Sequence, residues 1–125
     1  MTEKKEVKKV VSIREKILNA DDIRQEIVSV NEWGVKLLVK GMTGSQRARM
    51  MSSAVDRKGN MDFEKMYAEL VISGSYDPES GEKIFSSADK DALNEKSGGA
   101  LEKIAKVCMN LSGLTDEEMD KIEKN

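Results

Sequence analysis

The side chains that could do chemistry in this chain are few, and the inventory begins with a gap: there is no histidine. Without an imidazole there is no Ser-His-Asp or Cys-His pair to activate a nucleophile, and no histidine to hold a metal. The single cysteine, Cys108, shares a helical face with Leu101, Ile104, Ala105 and Leu111. There it reads as a small buried hydrophobe rather than a thiolate nucleophile. The glycines of "KGMTGS" and "SGGALEK" lack the spacing of a phosphate-binding loop. The stretch "DPESGEKIFSSA" gathers Asp77, Glu79 and Gly81 in the manner of a calcium loop. Its glycine comes one place early, however, and its twelfth position is Ala88, where a bidentate acid is required. Asp89 and Asp91 suit the first turn of a helix, whose dipole favours acids. In a chain that is 35% charged, paired carboxylates carry no specific acid-base signal. The expectation is a protein without catalysis, cofactor or metal, working by contact.

The residues that could make such contact are Trp33, the chain's one tryptophan, and three of its eight methionines, Met50, Met51 and Met66. Tryptophan is favoured at the centre of interfaces. Methionine is flexible and polarizable enough to line a surface that must repack. Each has a plainer reading: Trp33 folds back to cap a core, and the methionines stand in for leucine inside it. Periodicity alone leaves both readings open.

These residues need elements to hold them. With 125 residues the chain is sized for one domain with a real core. Residues 1–11 carry the basic run "EKKEVKK" and read as a flexible terminus. Ser12 and Glu15 form a capping-box pattern at the head of a short helix with Ile13 and Ile17 on one face. The period then changes. Val28 and Val30 alternate, then Val35, Leu37 and Val39 alternate with Lys36, Leu38 and Lys40, and Asn31 to Gly34 supply a turn, so a β-hairpin is expected. A lone hairpin is marginal in water and must pack on something.

Thr43 and Gln46 repeat the capping-box pattern ahead of a helix whose apolar face is Met50, Met51, Ala54 and Val55. Gly59 breaks it. Phe63, Met66, Tyr67, Leu70 and Val71 fall at i, i+3, i+4, i+7 and i+8, the clearest helix in the chain, with Gly74 as its stop. Pro78 and Gly81 impose a turn between Tyr76 and Ile84-Phe85. Ser86 and Asp89 open a short helix, and "SGGALEKIAKVCMNLSGL" gives the last long one, closed by Gly113. The fold class is therefore mainly α (α+β): a small N-terminal hairpin packed on a bundle of about four helices. The packed domain is expected over 12–114, followed by an acidic, weakly held tail over 115–125 in which Thr115 and Glu118 form one more capping-box pattern.

The net charge of −2 gives no basic footprint for nucleic acid. No apolar run approaches a membrane span, and the basic start has no apolar h-region. One cysteine cannot close an internal disulfide, which places the chain in a cytoplasm.

The order of these pieces resembles the tail assembly chaperones of long-tailed bacteriophages. The elements that carry the resemblance are "REKIL" and "ADD" near the start, a Glu-Trp-Gly turn at Glu32, Trp33 and Gly34, and a helix entry at Met42, Thr43 and Gly44. They continue with the "DPESGEKIF" segment from Asp77 to Phe85, the acidic helix with Asp89, Leu93 and Lys96, and the close from Asn110 to Leu114. The chain departs from the pattern at Asn31, where relatives often have proline, and over "MMSSAVDRKGNMDFEK". The resemblance implies a non-catalytic chaperone of the host bacterial cytoplasm, absent from the finished virion. It would bind the tape measure protein and keep it soluble until tail tube subunits assemble around it. It also implies contact with the tail tube protein and with a longer, frameshifted form of the chain itself, and it leaves self-association open. The competing readings are a small structural tail or neck subunit retained in the virion, and an unrelated helical interaction adaptor.

Overall fold

The computed structural model describes residues 11–60 and 62–113, without the side chains of Phe63 and Glu64. The basic start over 1–10, the Thr115–Glu118 pattern and the acidic tail lie outside the described residues, as does the side chain of Phe63.

The alternation in the sequence folds as expected. Strand β1 (Gln25–Val30) pairs antiparallel with β2 (Val35–Lys40), setting Val28 opposite Leu37 and Glu26 opposite Val39. Val28, Val30, Leu37 and Val39 are all buried on one face. The turn closes through Trp33 N–H donating to the Val30 carbonyl at 3.1 Å and Gly34 N–H to that of Asn31 at 3.2 Å. Gly34 sits at φ +65°, a conformation glycine adopts freely. Val35, beside the turn at the tip of the hairpin, is in phase with the buried residues but 45% exposed.

A third strand was not legible in the sequence. β3 (Ser75–Tyr76) pairs with β2, placing Tyr76 opposite Leu38 and Ser75 opposite Val39. The sheet order is β1-β2-β3. The expected turn after Tyr76 is present. Asp77 Oδ1 accepts from Glu79 N–H at 2.8 Å, Gly81 turns at φ +77°, and Tyr76 bridges to Lys83. Asp77 thus has a structural task in the very segment that mimicked a calcium loop.

Among the described residues there are also five α-helices: α1 (Ile13–Leu18), α2 (Gly44–Ser53), α3 (Phe63–Gly74), α4 (Lys90–Asn94, entered through a 3-10 turn over Ser87–Asp89) and α5 (Gly98–Leu111). The capping boxes form. Ser12 Oγ accepts from Glu15 N–H and Thr43 Oγ1 from Gln46 N–H, both at 3.1 Å, and each Glu15 and Gln46 side chain bonds back to the cap's own N–H. Helices α3 and α5 pack together under the sheet. They contribute Met66, Leu70 and Val71 from one side, and Leu101, Ile104, Cys108 and Met109 from the other. Helix α2 adds Met50, its C-cap adds Ala54, and α4 adds Leu93. The hairpin on four packed helices is thus the α+β arrangement expected. Helix α1 is different, since none of its residues is buried.

Two glycines permit the close approach at the far end of the sheet. A Cβ on Gly74 would stand 2.8 Å from Cys108 Sγ, and one on Gly41 only 2.6 Å from the Leu111 carbonyl oxygen. Gly74 ends α3, as its position suggested, but its missing side chain is also what lets α3 and α5 meet. Around Gly41 the end of α5 is fastened down. Met42 N–H donates to Ser112 Oγ at 2.7 Å, Ser112 Oγ–H to the Cys108 carbonyl at 2.6 Å, and Arg24 Nη2 to the Asn110 carbonyl at 2.7 Å. The Cys108 and Asn110 carbonyls also accept backbone bonds, from Ser112 N–H at 3.0 Å and Gly113 N–H at 3.1 Å, so the end of α5 is held by both backbone and side chains.

Candidate apolar groove at the hairpin tip

The four residues singled out in the sequence do not form one site. Met50 and Met66 are 1% and 2% exposed, so their side chains fill the core and offer no surface to a partner. Of the two readings left open for the methionines, their burial agrees with the plainer one for Met50 and Met66. Of Met50 and Met51, adjacent on α2, the helical turn points only the first inward. Met51 is 37% exposed.

Trp33 has a foot in each reading. It is half-buried against the core, and its remaining surface lines two adjoining cavities. The larger, about 660 Å³, is walled by Val35, Leu37, Pro78, Ile84 and Phe85 besides Trp33. The smaller, about 340 Å³, lies between Trp33, Phe85, Leu93 and Lys96. Trp33 and Phe85 are common to both, so together they form a single groove with an aromatic floor. Val35 and Ile84, 45% and 40% exposed, extend its apolar wall. Lys36 and Lys96 stand on the rim, and Asp77 and Glu79 border the larger cavity.

Each wall is held by local chemistry. The Glu-Trp-Gly turn is fixed by the two backbone bonds above. The Glu32 carboxylate lies beside the first turn of α5, 4.0 Å from where a Cβ on Gly99 would stand, a favourable place for an anion. Asp89 Oδ2 accepts from Ser86 N–H at 2.8 Å, and Lys90 pairs with Glu69 of α3 at 2.7 Å. These contacts seat α4, and with it Leu93. The groove can receive one or two bulky apolar side chains and pair charges at its edge; it presents no nucleophile. Cys108 lies deep in the core, where burial pushes its thiol up to about 12 from an ordinary 9.0, against a smaller opposing effect of the Ser112 hydrogen bond. It stays protonated and unreactive, as its place on an apolar face suggested.

Phe85, Ile84 and Leu93 were visible in the sequence as apolar residues. What no local pattern revealed is that the turn after β3 folds them against the hairpin tip.

This sheet-and-helix arrangement has the fold of the bacteriophage tail assembly chaperones. The solved structure of the bacteriophage HK97 tail assembly chaperone matches it with a TM-score of 0.55 and 20% sequence identity, over 78% of this chain and 95% of that one. At that identity the likeness is one of fold. No protein-family model matches the chain, and comparison with the curated proteins by sequence gives no match. Among the described residues, no helix is long and apolar enough to cross a membrane.

Proposed function

We propose that this protein is a non-catalytic tail assembly chaperone of the host bacterial cytoplasm. It binds the tape measure protein, keeps it soluble and helps recruit tail tube subunits, and it is not carried into the finished particle. The observation that carries this reading is the aromatic groove at the hairpin tip on a chaperone-type fold. A long helical partner exposes apolar stripes that aggregate in water. A groove floored by Trp33 and Phe85 accepts the anchor side chains of such a stripe, as amphipathic helices are generally received in apolar grooves. The charged exterior keeps the complex dissolved. Trp33 is the expected anchor among the candidate binding residues. Met51 is peripheral, and Met50 and Met66 act by holding the fold.

The test is co-expression with a tape measure protein of the same phage, scored by soluble yield and co-purification. The chaperone should raise the soluble yield. Trp33→Ala should weaken capture about 30-fold, the effect of losing a 2 kcal/mol hot spot. Equal solubility of the partner alone, with no co-purification, would remove the chaperone reading. Capture that survives Trp33→Ala unchanged would remove the groove from it. Recovery of the protein in purified virions would favour a structural subunit instead.

A further inference from the structure

The open edge of the sheet carries a contact that the packing of the core does not require. Among the described residues, β1 is bonded to β2 on one side and to no strand on the other. Its phase is set at the base of the hairpin, where Gly41 N–H donates to the Arg24 carbonyl at 2.9 Å. Hydrogen-bonded pairs alternate along an antiparallel ladder. Residues 24, 26, 28 and 30 therefore direct their backbone groups to β2, and the N–H and C=O groups of Gln25, Ile27 and Ser29 point outward. The Ile27 side chain, opposite in phase to the buried Val28 and Val30, is 51% exposed. An apolar residue on an unpaired strand is a template for a further strand.

One of these outward groups is already occupied. Lys103, exposed on α5, donates from Nζ to the Ser29 carbonyl at 2.6 Å. Lys90 and Lys106 find carboxylates, on Glu69 and Glu102. Lys103 spends its charge on a backbone oxygen at the sheet edge.

We propose that Lys103 is a guard, which keeps β1 from pairing with β1 of a second copy of this chain. The geometry of such a pairing makes the Ser29 carbonyl decisive. Two β1 strands laid antiparallel about Ile27 set Ile27 beside Ile27, and Ser29 of each copy opposite Gln25 of the other. Each Ser29 carbonyl must then accept from Gln25 N–H of the second copy, and each is the oxygen that Lys103 holds. Nζ also puts a full charge where the incoming backbone would run, and displacing it breaks a charge-assisted hydrogen bond, one of the stronger kinds. The pairing centred one residue earlier avoids Ser29 but sets two Glu26 carboxylates directly opposite each other, where like charges repel. Lys103 and Glu26 between them thus close both ways of extending the sheet through its exposed Ile27.

Sedimentation of the full-length protein over a concentration series tests this. Lys103→Met keeps the long stem and the helix propensity but removes the charge. It should associate at a concentration at least about tenfold lower than the unaltered chain, since the charged bond no longer has to be broken. Lys103→Arg keeps donor and charge and should match the unaltered chain. Adding Ile27→Lys to Lys103→Met should abolish the gain without harm to the fold, as Ile27 lies outside the core. Amide exchange gives a reading that needs no variant. The Gln25, Ile27 and Ser29 amides should exchange fast in the unaltered protein at every concentration, and they should gain protection only as Lys103→Met associates. Equal association of Lys103→Met and the unaltered chain would overturn the proposal, as would association of Lys103→Arg equal to that of Lys103→Met. So would association that Ile27→Lys leaves untouched, which would place it on another surface. Protection of the three amides that grows with concentration in the unaltered protein would also overturn it, because the edge would then pair despite Lys103.

Discussion

Replacing Gly41 by alanine tests the close approach at the end of the sheet. A Cβ there would stand 2.6 Å from the Leu111 carbonyl oxygen and 2.9 Å from its carbon. Ordinary contact begins near 3.4 Å, so the backbones must part by about 0.8 Å. Neither can yield easily. Gly41 N–H is bonded to the Arg24 carbonyl at 2.9 Å, and the end of α5 is tied to the same region by Arg24 Nη2 on the Asn110 carbonyl and Met42 N–H on Ser112 Oγ. Overpacking of this kind costs about 1–3 kcal/mol. Separation also strains the 2.7 Å bond from Met42 N–H to Ser112 Oγ, worth about 1 kcal/mol. The expected loss is about 2–4 kcal/mol, read as a lower urea midpoint at unchanged slope. Gly44→Ala is the control. Nothing lies within 4 Å of its Cβ position, and in the first turn of α2 it should be neutral or stabilising by up to about 1 kcal/mol. A Gly41→Ala protein within about 0.5 kcal/mol of the unaltered one would refute the packing argument.

Other outcomes follow from the same contacts. Met50→Ala and Met66→Ala should each cost about 2–5 kcal/mol of stability, as core truncations do, whereas Met51→Ala should stay within about 0.5 kcal/mol; urea melts of the three decide it. Ser75 Oγ is buried with no hydrogen-bond partner, so Ser75→Ala should be neutral or stabilising by about 1 kcal/mol, and a loss of 2 kcal/mol would reveal a hidden partner. The Cys108 thiol ionises near 9.0 when unfolded but is pushed up to about 12 when folded. The unfolded chain therefore sheds its proton first, so stability is whole below pH 9 and falls between pH 9 and 12 by about 1.4 kcal/mol per pH unit. Cys108→Ala should flatten that slope in parallel melts, and an unchanged slope would contradict the burial.

Much of the fold was legible because its signals are local. The capping boxes at Ser12–Glu15 and Thr43–Gln46 need only four consecutive residues. Val28, Val30, Leu37 and Val39 announce a hairpin by alternation, and Leu101, Ile104, Ala105 and Cys108 announce a buried helix face by their spacing. What was hidden is what depends on distance in sequence. β3 has two residues, too few for any period, and is defined by partners in β2. Met50 and Met51 are chemically identical neighbours, and only the rotation of α2 decides which is inside. Gly41 and Gly74 look like ordinary turn and stop signals, because the strand and helix that crowd them are remote. The groove is assembled from residues 33–37, 77–85 and 93–96, so Trp33 could be picked out as a candidate without any indication of the walls around it.

The position of α5 also has a consequence for how the protein is made. The hairpin is complete in sequence by Lys40, but its apolar face is covered in large part by a helix that ends at Leu111. At translation rates of about 5–20 residues per second, roughly 4–14 s separate the two. Throughout that interval Val28, Val30, Leu37 and Val39 have no lasting cover, and the open edge of β1 lies beside them. A nascent chain in this state is itself an aggregation hazard, and a pause in synthesis between residues 40 and 111 would lengthen it. The yield of active protein should thus be sensitive to synonymous codon changes in that interval, even though the finished molecule is unaltered.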